Sequence, residues 1–212
     1  MSAGVQDAVN LGWKLAAAVH GTAPENLLDT YHSERHPVGA RVLVNTLTQR
    51  ALYISGEEMQ PLRELFTELS DHPEVRTHLI NMVTGLDIRY DVGPDTHPLL
   101  GRRLPDLELL HDSGPRDKTT TFALLHTARG ILLDLRGDAA LHAAAAGWAD
   151  RVDTVTARPH PPTGPGPLAG LDAVLVRPDG YVAWLAPRAA AQTGLTDALT
   201  RWFGAPTTTP TT

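Results

Sequence analysis

Apolar positions in the first twenty residues recur at steps of three and four: Val5, Ala8, Val9, Gly12, Leu15, Ala16 and Val19. That spacing predicts an amphipathic helix with a single apolar stripe, ended by Gly21. A second helix is expected to start near Pro24, a residue that suits the first helical position, with Leu27, Tyr31, Val38 and Val42 on one face. Pro37 should bend or divide it, because proline lacks the donor and crowds the preceding turn. Met59, Leu62, Leu65, Phe66 and Leu69 mark a third helix, and Val75, Leu79, Met82, Val83 and Leu86 a fourth. Residues 1–90 thus read as helices only.

The pattern changes near Tyr90. Gly93-Pro94, His97-Pro98, Gly101 and Pro105 make residues 91–104 an extended connector. Strand-like runs follow at Gly130–Leu135, Val152–Thr156 and Ala173–Val176, the last joined through Arg177-Pro178-Asp179-Gly180 to Tyr181–Trp184. Pro-Asp-Gly between two apolar runs is a hairpin signal, since Pro and Gly supply the angles a tight turn requires. Helices are expected over Asp138–Trp148 and Leu195–Phe203. Strand, helix, strand, hairpin, helix over 105–205 describes a small α/β domain with a mixed sheet, and the whole chain is then α+β. Pro159–Gly170 reads as a loop, and residues 206–212 as a disordered low-complexity tail.

Composition narrows the function. The chain has 212 residues, is 42% apolar, carries a net charge of -6 and contains no cysteine. Residues 1–91 hold 7 basic against 12 acidic side chains. No nucleic-acid partner is expected, because phosphate neutralisation needs clustered positive charge. The apolar runs fall far short of the roughly 20 residues that cross a bilayer, so no membrane association is expected. Residues Met1–Asp7 lack the basic and apolar regions of a secretory signal, which places the expected location in the cytoplasm. Without cysteine there are no disulfides, thiolate metal sites or Cys-x-x-Cys chemistry.

Candidate side-chain chemistry is sparse. His32 and His36 lie four apart on a predicted helix, but His-Ser-Glu-Arg-His is not His-Glu-x-x-His and supplies no third ligand; no metal site is expected. Asp95 with His97, and His111 with Asp112, lie in loops, where such pairs cap turns. There is no Gly-x-Ser-x-Gly elbow, no Gly-x-Gly-x-x-Gly and no phosphate loop. Trp13, Trp148, Trp184 and Trp202 are expected as core anchors. Asp87-Ile88-Arg89-Tyr90-Asp91 reads as a hydrogen-bonded interdomain clasp rather than a catalytic cluster.

Several segments together resemble the FAD-dependent aromatic hydroxylases, the phenol hydroxylase and para-hydroxybenzoate hydroxylase-like flavin monooxygenases, and among them those acting on aromatic polyketides in actinomycetes. They are Gly4-Val5-Gln6-Asp7-Ala8-Val9-Asn10-Leu11-Gly12-Trp13-Lys14-Leu15, Leu27–Pro37, Gly85–Tyr90, His97–Arg103 and Val176–Trp184. The first is specific by itself; the others are specific in combination. The resemblance covers essentially the whole chain. It implies a last FAD-domain helix, the helices that follow it, and a thioredoxin-like C-terminal domain that has lost its redox cysteines.

The resemblance also implies that Ser2, Ala3 and Gly4 approach a flavin ring, with Gln6 and Asp7 in the first turn of a helix aimed at its pyrimidine edge. A helix N-terminus stabilises anionic reduced flavin there. The family pattern at this point is Pro-x-Gly-Gly-Gln-Gly-[Leu/Met]-Asn-x-Gly, whereas this sequence enters it at Met1 and has Ser2 at the Asn position. The dinucleotide motifs and substrate-binding sheet of the family lie upstream of that point. The expected function is therefore a truncated aromatic polyketide hydroxylase, whose parent reaction uses FAD, NAD(P)H and O2, and which is not competent as this chain alone. In isolation its terminus is expected to fray. The alternative is a flavin-free binding module, partner subunit or cofactor-independent enzyme of a polyketide pathway. The apolar stripe of helix 5–19 would then pair in a homodimer or meet a complementing FAD-domain half.

Overall fold

The computed structural model describes residues 2–54, 56–94, 97–111, 117–160, 166–188 and 193–207. The chain divides into two compact units, Met1–Ala8 with Asp29–Ile88, and Val9–Leu28 with Arg89–Thr212. The first helix, α1 (Ser2–Val19), contributes residues to both.

The helical unit contains the start of α1 together with α2 (Asp29–Ile54), α3 (Gln60–Ser70) and α4 (Pro73–Thr84). Proline stands in the first turn of both α3 and α4, where its missing N–H costs nothing. α4 stops at Gly85, which adopts a left-handed φ of +75° and donates to Asn81 O. Pro37 does not divide α2, which runs through it as one element, losing only the backbone bond that the proline cannot donate. Apolar residues on all three later helices face outward, among them Leu43, Val44 and Leu47 on α2, Leu65 on α3 and Val83 on α4.

In the sheet unit the described residues form one six-stranded sheet in the order β2-β1-β4-β3-β5-β6. Its strands are β1 (Glu108–His111), β2 (Lys118–Thr120), β3 (Gly130–Asp134), β4 (Val152–Pro159), β5 (Leu171–Val176) and β6 (Val182–Pro187). Between β2 and β3 lies α5 (Thr121–Leu124), between β3 and β4 lies α6 (Ala139–Ala145), and α7 (Leu195–Phe203) follows β6. β3 and β4 are parallel across α6, while β5 and β6 form an antiparallel hairpin beside β3. Parallel crossover, hairpin and closing helix make the thioredoxin-like core. Every residue of β3 and β5 is buried, as continuous apolar runs at the centre of a covered sheet require.

Two strands have no counterpart in the sequence reading: β1 and β2, four and three residues long and rich in polar side chains, pair antiparallel at the sheet edge. The stretch read as a connector carries core residues, with Val92, Leu99, Leu100 and Leu104 buried, and Tyr90 just before it is buried too. Gly101 is fixed there by sterics, since a Cβ on it would lie 2.1 Å from Tyr90 O at a φ of +73°. Of the tryptophans, Trp148 and Trp202 are buried, and Trp148 donates to Gly204 O at 2.8 Å. Trp13 and Trp184 are half-buried, so core anchoring describes two of the four fully. Residues 161–165 of the predicted loop and 208–212 of the predicted tail lie outside the described residues.

Candidate functional site

α1 presents the reverse of the usual amphipathic arrangement. Val5, Ala8, Val9, Gly12, Leu15, Ala16 and Val19, the predicted stripe, are all exposed, while Asn10 and Lys14 on the other face are buried. Partners for the polar face explain this, because a buried polar group is tolerated once it is hydrogen-bonded.

Within the helical unit the partner is Arg35 of α2. Its side chain is 4% exposed, and its Nε meets Asp7 Oδ1 at 2.6 Å. The same guanidinium reaches Gln6 Oε1 and the carbonyl of Ala3, each at 3.5 Å. Gln6 also packs over Gly85, where a Cβ would stand 2.9 Å from its Nε2. Ala3, Gln6 and Asp7 are thereby gripped together. Ser2 begins the helical backbone, and Gly4 is exposed with open space where a side chain would project.

Within the sheet unit the second half of α1 meets the β5–β6 turn. Asn10 Nδ2 donates to Asp179 Oδ2 at 3.2 Å, and Lys14 Nζ donates to Asn10 Oδ1 at 2.9 Å. Asp179 also accepts from both sides of the Arg177 fork, with Nε at 3.0 Å. Arg177 is completely buried among the rings of Trp202, Trp13, Tyr90 and Tyr181, at 4.4 to 5.8 Å from their centroids. Cation–π attraction and a bidentate carboxylate are what make a buried guanidinium tolerable.

The remaining candidates do not assemble into catalytic chemistry. The rings of His32 and His36 lie tilted to one another with centroids 4.9 Å apart on the exposed face of α2, and the described residues contain no group of three His, Asp or Glu able to hold a metal. Asp95 and Asp112 lie outside the described residues; His97 Nδ1 accepts from Leu99 N at 3.2 Å, and His111 ends β1. The Asp87–Asp91 segment separates by unit: Asp87 pairs with Arg41, Arg89 donates to Leu100 O at 2.9 Å, and Tyr90 stacks on Tyr181. Asp134, His142 and Thr156 meet after β3, but His142 uses the same Nε2 for both partners, at 3.0 and 3.2 Å. A proton relay needs both ring nitrogens, so this trio is a loop clamp. The sheet unit also has a largely apolar cleft of about 560 Å³, lined by Val92, Leu100, Trp184 and Leu185 together with Asp197 and Arg201.

Known proteins share this chain's sequence and fold. The family model for the aromatic-ring hydroxylase C-terminal domain matches residues 97–206, just over half of the chain, and that of an FAD binding domain matches residues 1–46. The chain belongs to the aromatic-ring hydroxylases. This member is 48% identical over 206 residues to the 12-dehydrotetracycline 5-monooxygenase/anhydrotetracycline 6-monooxygenase of Streptomyces rimosus, covering 97% of this chain and 40% of that protein. It is 43% identical to a dialkyldecalin synthase of Streptomyces rugosporus, over 96% of this chain and 37% of that one. The crystal structure of CabE, an aromatic hydroxylase from angucycline biosynthesis, is 57% identical with a TM-score of 0.89, and spans 96% of this chain and 41% of that one. The chain thus spans about 40% of the length of the relatives it matches.

Flavin belongs to this family, and the chain fits part of it. The open backbone at Gly4, on the first turn of an 18-residue helix, leaves room for a planar ring edge. No Gly-x-Gly-x-x-Gly loop, the element that cradles a dinucleotide pyrophosphate, occurs among the 212 residues. Arg35 and Arg177 escape sequence inspection as site residues, because spacing along the chain says nothing of the contact between Arg35 and Asp7 across 28 residues, or of Trp13 and Tyr90 closing over Arg177. Their membership in family-like segments is the one signal that could have marked them.

Proposed function

We propose that the chain is the C-terminal portion of an FAD-dependent aromatic polyketide hydroxylase, working with an FAD-binding portion and not competent without it. The parent reaction would be NAD(P)H- and O2-dependent hydroxylation of a phenolic polyketide. The observation that carries this reading is the inverted α1: an FAD-domain helix whose apolar stripe is exposed from Val5 to Val19. Such a stripe suits a complementing FAD-domain half. In that assembly Ser2, Ala3 and Gly4 would approach the ring, with Gln6 and Asp7 in the turn behind them.

Titration of the purified protein with FAD tests the reading. Alone, the folded chain should leave flavin absorbance unchanged; mixed or fused with the portion of the angucycline hydroxylase that it does not cover, it should retain flavin stoichiometrically. Flavin binding by the chain alone, or none by the assembly, overturns the proposal.

A second reading is a flavin-free small-molecule module, favoured by the cleft beside Trp184, whose volume is in the range that takes drug-sized ligands. A dialkyldecalin synthase among the relatives shows that the family name and hydroxylation do not always coincide. Binding of a phenolic polyketide to the chain without flavin, abolished by Trp184→Ala, would select it.

A further inference from the structure

We infer that Arg35 is a positioning residue for the flavin edge of the site, acting through the first two turns of α1. The inference rests on the hydroxylase reading above and adds to it the residue that sets the geometry of Ala3–Asp7.

Three separate segments meet at this point. The 4–15 segment supplies Gln6 and Asp7, the 27–37 segment supplies Arg35, and the 85–90 segment supplies Gly85. Arg35 contacts a carboxylate, an amide oxygen and a main-chain carbonyl, at 2.6, 3.5 and 3.5 Å, with its own side chain 4% exposed. A planar fork with fixed donor directions holds three acceptors in one arrangement, which a flexible ammonium cannot reproduce. The Ala3 carbonyl and the Gln6 and Asp7 side chains are consequently oriented by α2. Gly4, between them, is left open and exposed. A helix start held this way presents its free N–H groups in a fixed direction, and preorganised donors act more strongly on a charge than mobile ones.

Hydrogen exchange on the present chain reads the clamp without any cofactor. Arg35→Ala should speed exchange of the Gln6–Asn10 amides by roughly ten- to hundredfold, with Arg35→Lys and Asp7→Asn in between. Arg41→Ala, which removes the separate Arg41–Asp87 pair of the same unit, should leave those amides unchanged. In the flavin-loaded assembly, the positioning role predicts a shifted visible flavin spectrum and midpoint potential in Arg35→Lys, although that variant stays folded. Unchanged exchange in Arg35→Ala overturns the clamp. Faster exchange with an unaltered flavin spectrum and potential in Arg35→Lys overturns the positioning role. An assembly of wild-type sequence that binds no flavin overturns the hydroxylase reading and the flavin role together, and the exchange result then reports on the clamp alone.

Discussion

The two units use apolar residues in opposite ways. The sheet unit closes its own core: β3 and β5 are buried throughout, and so are Trp148, Leu199 and Trp202. The helical unit turns Leu43, Leu47 and Leu65 outward, and its two buried residues on α2 are charged, Glu34 and Arg35. Burial of apolar surface thus holds the sheet unit, whereas polar pairs position the helices and leave apolar faces for something else to cover.

Substitutions in the two units should separate accordingly. Arg177→Ala strands Asp179 among rings and should cost about 3–5 kcal/mol in a urea titration of the sheet unit, with Trp202→Ala of similar size. A loss below about 1 kcal/mol would break the contrast, because the cage would then not be a structural core. Asn10→Ala removes one acceptor from Lys14 and one donor from Asp179, and should cost about 1–3 kcal/mol by the same titration. Leu47→Ser in the helical unit should change stability by no more than about 0.5 kcal/mol and raise solubility measured by light scattering.

The smallest effect is a pH dependence. The Phe122 N–H, then the Thr120 and Thr121 hydroxyls, hold the Asp106 carboxyl below its ordinary value of 3.8. A depressed carboxyl stabilises the fold above its unfolded value, and that contribution disappears as acid protonates the folded group. Asp106→Asn should therefore flatten the acid limb of the dependence of the unfolding midpoint on pH, leaving its shape above about pH 5 unchanged.

Legibility in the sequence followed the length and polarity of each element. β3, β5, β6 and α7 announce themselves as apolar runs or stripes, and the Pro-Asp-Gly hairpin sits where expected, with Gly180 at a φ of +84°. β1 and β2 are too short and too polar to stand out, and their partners determine them. Periodicity found the stripe of α1 but could not say which side meets the core, because that depends on Asp179, 169 residues from Asn10. The candidate residues Ser2, Ala3, Gly4, Gln6 and Asp7 come from the resemblance alone, whereas the grip of Arg35 on Ala3, Gln6 and Asp7 is a matter of three dimensions.

The placement of the tryptophans bears on any spectroscopy of this protein. All four, Trp13, Trp148, Trp184 and Trp202, fall in the sheet unit, and the helical unit carries Tyr31, Tyr53 and Phe66 instead. Emission excited at the red edge of the indole band therefore watches one unit and is blind to the other. A melting curve recorded that way would trace the thioredoxin-like core and pass silently over the helices that hold the start of α1.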